Sequence, residues 1–170
     1  VRSLNDISFY RHYHGPLYAY WLALCSLFGV NSEAGYRGSG LILHAFCAIA
    51  IFWLFLRTFP KFPTSAAFVA ALMFLMNRTT LSAGTMITQH VVYEVISVLC
   101  LFALSRYLET DRAAWWYAAA TFVAASFAAV EISVVLLGAV LTCLALHHWG
   151  QWRLIAGRIG KGTLVFLATL

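Results

Sequence analysis

Residues 38–56 read GSGLILHAFCAIAIFWLFL, an unbroken run without Asp, Glu, Lys or Arg. As a helix at about 1.5 Å per residue it covers about 28 Å, which matches a bilayer hydrocarbon core of about 30 Å. The chain enters this run through YRGSG and leaves it through LRTFPKFPT, where Pro60 and Pro63 forbid helical continuation. Its one histidine, His44, is placed mid-span, where an imidazole is expected to bond a neighbouring helix rather than a ligand.

Further charge-free runs cover residues 62–77, 113–130 and 132–152. A second span is expected from Ser65 to Met76, extendable into Phe62 and Thr80, and a third from Ile87 to Ser105. A fourth covers Ala113 to Ala129 and a fifth Ile132 to His148, separated only by VEIS. One straight helix over 113–148 would be about 54 Å long, too long for the bilayer, so the sequence requires a break near Glu131. Upstream, Leu17 to Phe28 read as a short surface helix that starts at Pro16 and stops at Gly29, about 18 Å long and therefore in-plane or partly inserted. The fold class expected is all-α, a polytopic transmembrane helix bundle. Residues 1–37 form an outer-side loop with a juxtamembrane helix, and 38–170 a bundle of about five spans plus the start of another. The opening VRSLND and closing GTLVFLATL, the latter halfway through a span, read as the edges of a piece of a larger chain.

Composition agrees. Hydrophobic residues make up 62% and charged residues 10%, with a mean hydropathy of +0.82, which excludes an ordinary soluble domain. The net charge of +5 is carried by Lys and Arg dispersed among apolar runs, so no nucleic-acid face is expected. Cys25, Cys47, Cys100 and Cys143 have no CxxC spacing and read as packing residues, and no metal ligand set is apparent. With alternating loops, Arg57, Lys61, Arg106, Arg112, Arg153, Arg158 and Lys161 fall on one side and Arg2, Arg11, Arg37 and Arg78 on the other. The positive-inside rule puts the richer side in the cytoplasm and the N-terminal segment in a periplasm, lumen or cell exterior. Trp115, Trp116, Tyr117, Trp149 and Trp152 are expected in interfacial belts, and small residues such as AAATFVAASFAA let helices approach closely. Asn77-Arg78-Thr79 matches an N-glycosylation sequon, a weak signal beside the membrane.

Polar residues in this setting are the functional candidates. Asp6, Arg11, His12 and His14 precede the Gly15-Pro16 turn; a carboxylate, a guanidinium and imidazoles together can hold a phosphate and manage a proton, or form a solvated loop. Arg37 opens a span, where it either grips a lipid phosphate or snorkels to the interface. His90 and Glu94, four apart, share a helix face and are expected to pair, as a polar site or as a structural pin. Glu131 is a donor-site group or a helix cap.

The run HGPLYAYWLALCSLFGVNSEAGYRGSG resembles the H-x-P-L-Y-Y, apolar helix, F-G-x-S-E-x-x-x-R segment of dolichyl-phosphate-mannose protein mannosyltransferase-like glycosyltransferases, and almost the whole chain fits the family's order of pieces. The segment SRYLETDRAAWWYAAATFVAASFAAVEISVVLL fits the family's basic turn, Trp-rich helix start and small-residue helix. The resemblance implies a C-type membrane glycosyltransferase with its site in the first large outer loop. Its donor is a polyprenyl-phosphate sugar and its acceptor a lipid, glycan or protein. His14 and Pro16 match the H-x-P motif and Arg37 the arginine that opens the next span. Asp6 is the only carboxylate upstream of the motif in this chain, so the acceptor base is Asp6 or a group before Val1. The implied reaction is a single displacement, hence inverting, with Arg11, His12, His14 and Arg37 offsetting phosphate charge; it requires no metal, although some members of the wider fold use one. Two departures stand out: Gln89-His90 replaces an acidic residue, and Glu131 a lysine that relatives often carry. The rival class is a non-catalytic polytopic protein, a transporter segment or assembly scaffold; a transporter would show internal repeats and a broken mid-bilayer helix, and neither is found.

Overall fold

The computed structural model describes residues 16–77, 90–127 and 133–169. Among them the chain is all-helical: α1 (Pro16–Leu27), α2 (Glu33–Thr58), α3 (Thr64–Met76), α4 (His90–Thr110), α5 (Ala113–Phe127), α6 (Val134–His147) and α7 (Trp152–Thr169). Both α2, of 26 residues, and α4, of 21, are long and apolar enough to cross a membrane; α3 and α6 are apolar but shorter.

Local chemistry sets the boundaries. Pro16 opens α1, and Gly29 closes it at φ 80°. There Val30 N donates to Cys25 O at 3.0 Å and Gly29 N to Ser26 O at 3.0 Å, the paired closure that a left-handed glycine permits at a helix end. Ser32 then caps α2, its hydroxyl accepting from Gly35 N at 3.1 Å. The cap explains why α2 begins at Glu33, a turn and a half before the apolar run at Gly38. Helix α3 ends at Met76 with Asn77 as its C-cap, and the proposed extension to Thr80 lies outside the described residues. Helix α4 continues past the expected Ser105 to Thr110, and Asp111 turns the chain at φ 49°, a conformation short polar side chains tolerate. The break expected near Glu131 lies outside the described residues, between α5, described to Phe127, and α6, which starts at Val134.

Two readings are corrected. Arg153, Arg158 and Lys161, expected in a loop, lie within α7, whose apolar and basic faces segregate along one helix. Trp116, expected in the interfacial belt, is buried, and its indole N–H donates to Arg158 O at 2.8 Å. Trp149 and Trp152 are exposed, as a belt requires.

The helices alternate in direction. His44 meets Glu94 and Arg57 meets Glu109, so α2 and α4 run parallel. Between them in sequence α3 returns, setting Phe74 against the His44 ring. Helix α5 runs antiparallel to α4, with Cys100 near Ala119 and Tyr107 against Trp116. Helix α7 runs parallel to α5, with Trp116 at Arg158 and Phe127 against Phe166. The core lies between α4, α5 and α6 around Cys100, Leu104, Tyr107, Val123, Val140 and Leu144. The alanine-rich face of α5 lets α4 approach closely, since Ala119 and Ala124 are fully buried.

Candidate functional site

The bundle has two polar ends. One is built where α1 folds onto the start of α2. Ser26 Oγ and Tyr36 OH are 2.7 Å apart, Cys25 Sγ donates to Ser39 Oγ at 3.6 Å, and Ser39 Oγ donates to Tyr36 O at 2.8 Å. Gly35 is needed here: a Cβ would stand 2.8 Å from Val30 Cγ1.

Arg37 lies one turn inside α2 rather than at its first position. Its Nε donates to Glu33 Oε1 at 3.1 Å and its Nη2 to the same oxygen. Both side chains are more than half exposed, so the pair is weak and readily exchanged for another anion. Seven residues further along α2, about 10 Å down the helix axis, comes the second polar level. There His44 Nδ1 lies 3.0 Å from Glu94 Oε2, a contact between α2 and α4 with His44 2% exposed. The imidazole stacks on Phe74 at 4.9 Å between centroids. His44 Nε2 is also buried and has no hydrogen-bond partner among the described residues.

The expected pairing of Glu94 with His90 is therefore replaced: Glu94 bonds His44, while His90 opens α4 with an exposed side chain. Asp6, Arg11, His12, His14 and Glu131 lie outside the described residues. Of the candidate site residues, the structure thus describes Arg37, His90 and Glu94, and it holds Arg37 and Glu94 at different depths.

The opposite end carries a network that sequence reading did not single out. Tyr107 OH and His148 Nε2 are 2.6 Å apart, and Asp111 Oδ1 lies 3.5 Å from His148 Nε2 and 3.6 Å from Arg158 Nη2. The Arg158 guanidinium sits 5.6 Å above the Tyr107 ring and donates to Asp111 O at 3.3 Å. Burial pushes the His148 imidazole below its ordinary value, His147 adds to that, and Asp111 opposes it. Beside this network Arg57 and Arg106 converge on Glu109 at 2.7 and 2.9 Å. Among the described residues Asp111, His147 and His148 bring ligand atoms within 4.8 Å of one another. Two of these three groups already have protein partners, Asp111 the Arg158 guanidinium and His148 the Tyr107 hydroxyl. The signal for this end was the basic Arg106–Arg112 turn, but spacing alone does not bring residues of α4, α6 and α7 together.

No curated protein and no solved structure matches this chain significantly. The profile of the dolichyl-phosphate-mannose-protein mannosyltransferase family matches residues 13–170, from the HGPLYAY segment to the end of the sequence. With that match over nearly its whole length, on an all-helical architecture with two apolar helices of membrane-crossing length, the chain belongs to the dolichyl-phosphate-mannose-protein mannosyltransferase family.

Proposed function

We propose that the protein moves a sugar, a hexose or pentose, from a polyprenyl-phosphate donor to a lipid, glycan or protein acceptor on the outer or lumenal face of a membrane. In this reading the chain is polytopic, in a bacterial inner membrane or, in a eukaryote, the endoplasmic reticulum. The family match across residues 13–170 carries the reading. Asp6, or a carboxylate preceding Val1, removes the acceptor proton as the hydroxyl attacks the anomeric carbon. Arg11, His12, His14 and Arg37 offset the negative charge that grows on the departing phosphate. The reaction is a single in-line displacement and inverts the anomeric centre.

The geometry of Arg37 supports its part. Its partner Glu33 is exposed, so exchanging that carboxylate for a donor phosphate breaks no buried contact. The His44–Glu94 pair lies too deep to share the same phosphate and forms a polar floor beneath the site.

The test is transfer of labelled sugar from polyprenyl-phosphate donors by the full-length protein in liposomes, comparing wild type with Asp6→Asn, His14→Ala and Arg37→Ala. Transfer that collapses in variants with intact folding supports the site. Survival of Asp6→Asn moves the base upstream of Val1. Variants that keep the protein's cellular role while no donor is used would favour a non-catalytic scaffold.

A further inference from the structure

The last helix, α7, is two-faced. Ile155 and Gly162 are buried against the bundle, while Arg153, Gly157 and Lys161 recur at four-residue intervals along an exposed face. These positions, with Arg158 at the edge, line a groove of 310 Å³. Gly157 faces open space, since a Cβ there would meet nothing within 4 Å, so a large side chain at this position would fill the groove.

The charge of this groove is not compensated. Helix α7 contains no acidic residue, and Arg153 and Lys161 have no ion-pair or hydrogen-bond partner among the described residues. Asp111 engages only one end of the Arg158 guanidinium; Arg158 Nε is buried without an acceptor among the described residues. Further along the same face the residues turn apolar, with Leu164 and Leu167 68% and 62% exposed. Trp149 and Trp152, 6.0 Å apart, stand exposed at the basic end, where indoles favour the headgroup layer. Cations followed by apolar surface along one helix match an amphiphile with an anionic head and an aliphatic tail.

We propose that this face of α7 binds an anionic glycerophospholipid, its phosphodiester between Arg153 and Lys161 and its acyl chain over Leu164. The site lies at the opposite end of the bundle from the sugar-transfer site, and it stands or falls independently of that reading.

The experiment is native mass spectrometry of the full-length protein in detergent with phosphatidylglycerol, phosphatidylcholine or inorganic phosphate. Wild type is expected to retain phosphatidylglycerol over phosphatidylcholine and to be little displaced by phosphate. Because Arg153 and Lys161 are exposed and unpaired, Arg153→Gln/Lys161→Gln is expected to keep its fold and to lower phosphatidylglycerol retention by about tenfold. Gly157→Leu, which fills the groove without changing charge, should lower it as well. Equal retention of the two lipids, a double variant that still binds phosphatidylglycerol like wild type, or phosphate binding as tight as the lipid's would each overturn the proposal.

Discussion

His44 shows what one polar atom does in an apolar bundle. Its imidazole is 2% exposed and bonds Glu94 across two helices, so removing either partner strands the other in a low-dielectric interior. Measured couplings of this kind within membranes are about 0.6–1.7 kcal/mol. We expect His44→Phe and Glu94→Leu each to lower thermal stability in detergent, and the double variant to lose less than the sum of the two, by about 1 kcal/mol. Additive losses would show that the pair contributes nothing as a pair. Gly162 makes the opposite argument, from space. A Cβ there would stand 2.8 Å from Trp116 Nε1, the atom that donates to Arg158 O. Gly162→Ala is therefore expected to displace the indole and destabilise the protein by about 1–3 kcal/mol, and Trp116→Phe, which loses the hydrogen bond and leaves a cavity where the larger ring packed, by about 2–3 kcal/mol. Equilibrium unfolding of both variants decides; a Gly162→Ala variant as stable as wild type would mean the α5–α7 contact is loose.

At the scale of elements, the sequence was most legible where structure is set by near neighbours. Pro16 and Gly29 bound α1, Pro60 follows the end of α2 and Pro63 precedes α3, because dihedral restrictions act locally. It was least legible where partners are distant. The spacing of His90 and Glu94 offers a same-helix pair, yet the bond Glu94 makes spans fifty positions of sequence. Trp116 has the composition of a belt residue, and it is distant partners, Tyr107 of α4 and the backbone of α7, that take it into the core. The basic residues of α7 interrupt an apolar run and so imitate a loop; the helical period of Ile155 and Gly162 was the signal that tells the two apart. The network joining α4, α6 and α7 has a pH consequence. His148 is buried and its folded imidazole is held below the ordinary value of about 6.5, so the unfolded chain takes up the proton first. Above about pH 6.5 both states are neutral and the residue is indifferent to pH. As pH falls below that value stability declines, at most about 1.4 kcal/mol per unit, until the folded form also protonates. Melting curves between pH 7.5 and about 5 should show this decline, and His148→Gln should flatten it. An unchanged slope in that variant would assign the effect to another group.

At the scale of the whole molecule, the alternation of helices places unlike chemistry at the two ends. The turn between α1 and α2 lies at the end where Arg37 waits behind its exposed carboxylate. The Arg57–Glu109–Arg106 cluster, the Asp111–Arg158 contact and the start of α7 all lie at the other. Under the positive-inside rule, that segregation would set the Arg57, Arg106 and Arg158 end in the cytoplasm and the Arg37 end outside, as the proposed function has it. It can be tested without any activity assay in a Cys143→Ser background, because Asn31, Lys61 and Gln151 are all exposed, while Cys25, Cys47 and Cys100 are buried and Cys143 is only partly so. Asn31→Cys is expected to react with a membrane-impermeant maleimide in intact cells or sealed vesicles of native orientation. Lys61→Cys and Gln151→Cys, at the opposite end, are expected to react only after permeabilisation. Labelling of Lys61→Cys from outside would break the alternation between α2 and α3, and labelling of Gln151→Cys from outside that between α6 and α7. Protection of Asn31→Cys together with exposure of both others would invert the whole arrangement, and the donor phosphate would then have to be sought at the end that carries Arg57, Arg106 and Arg158.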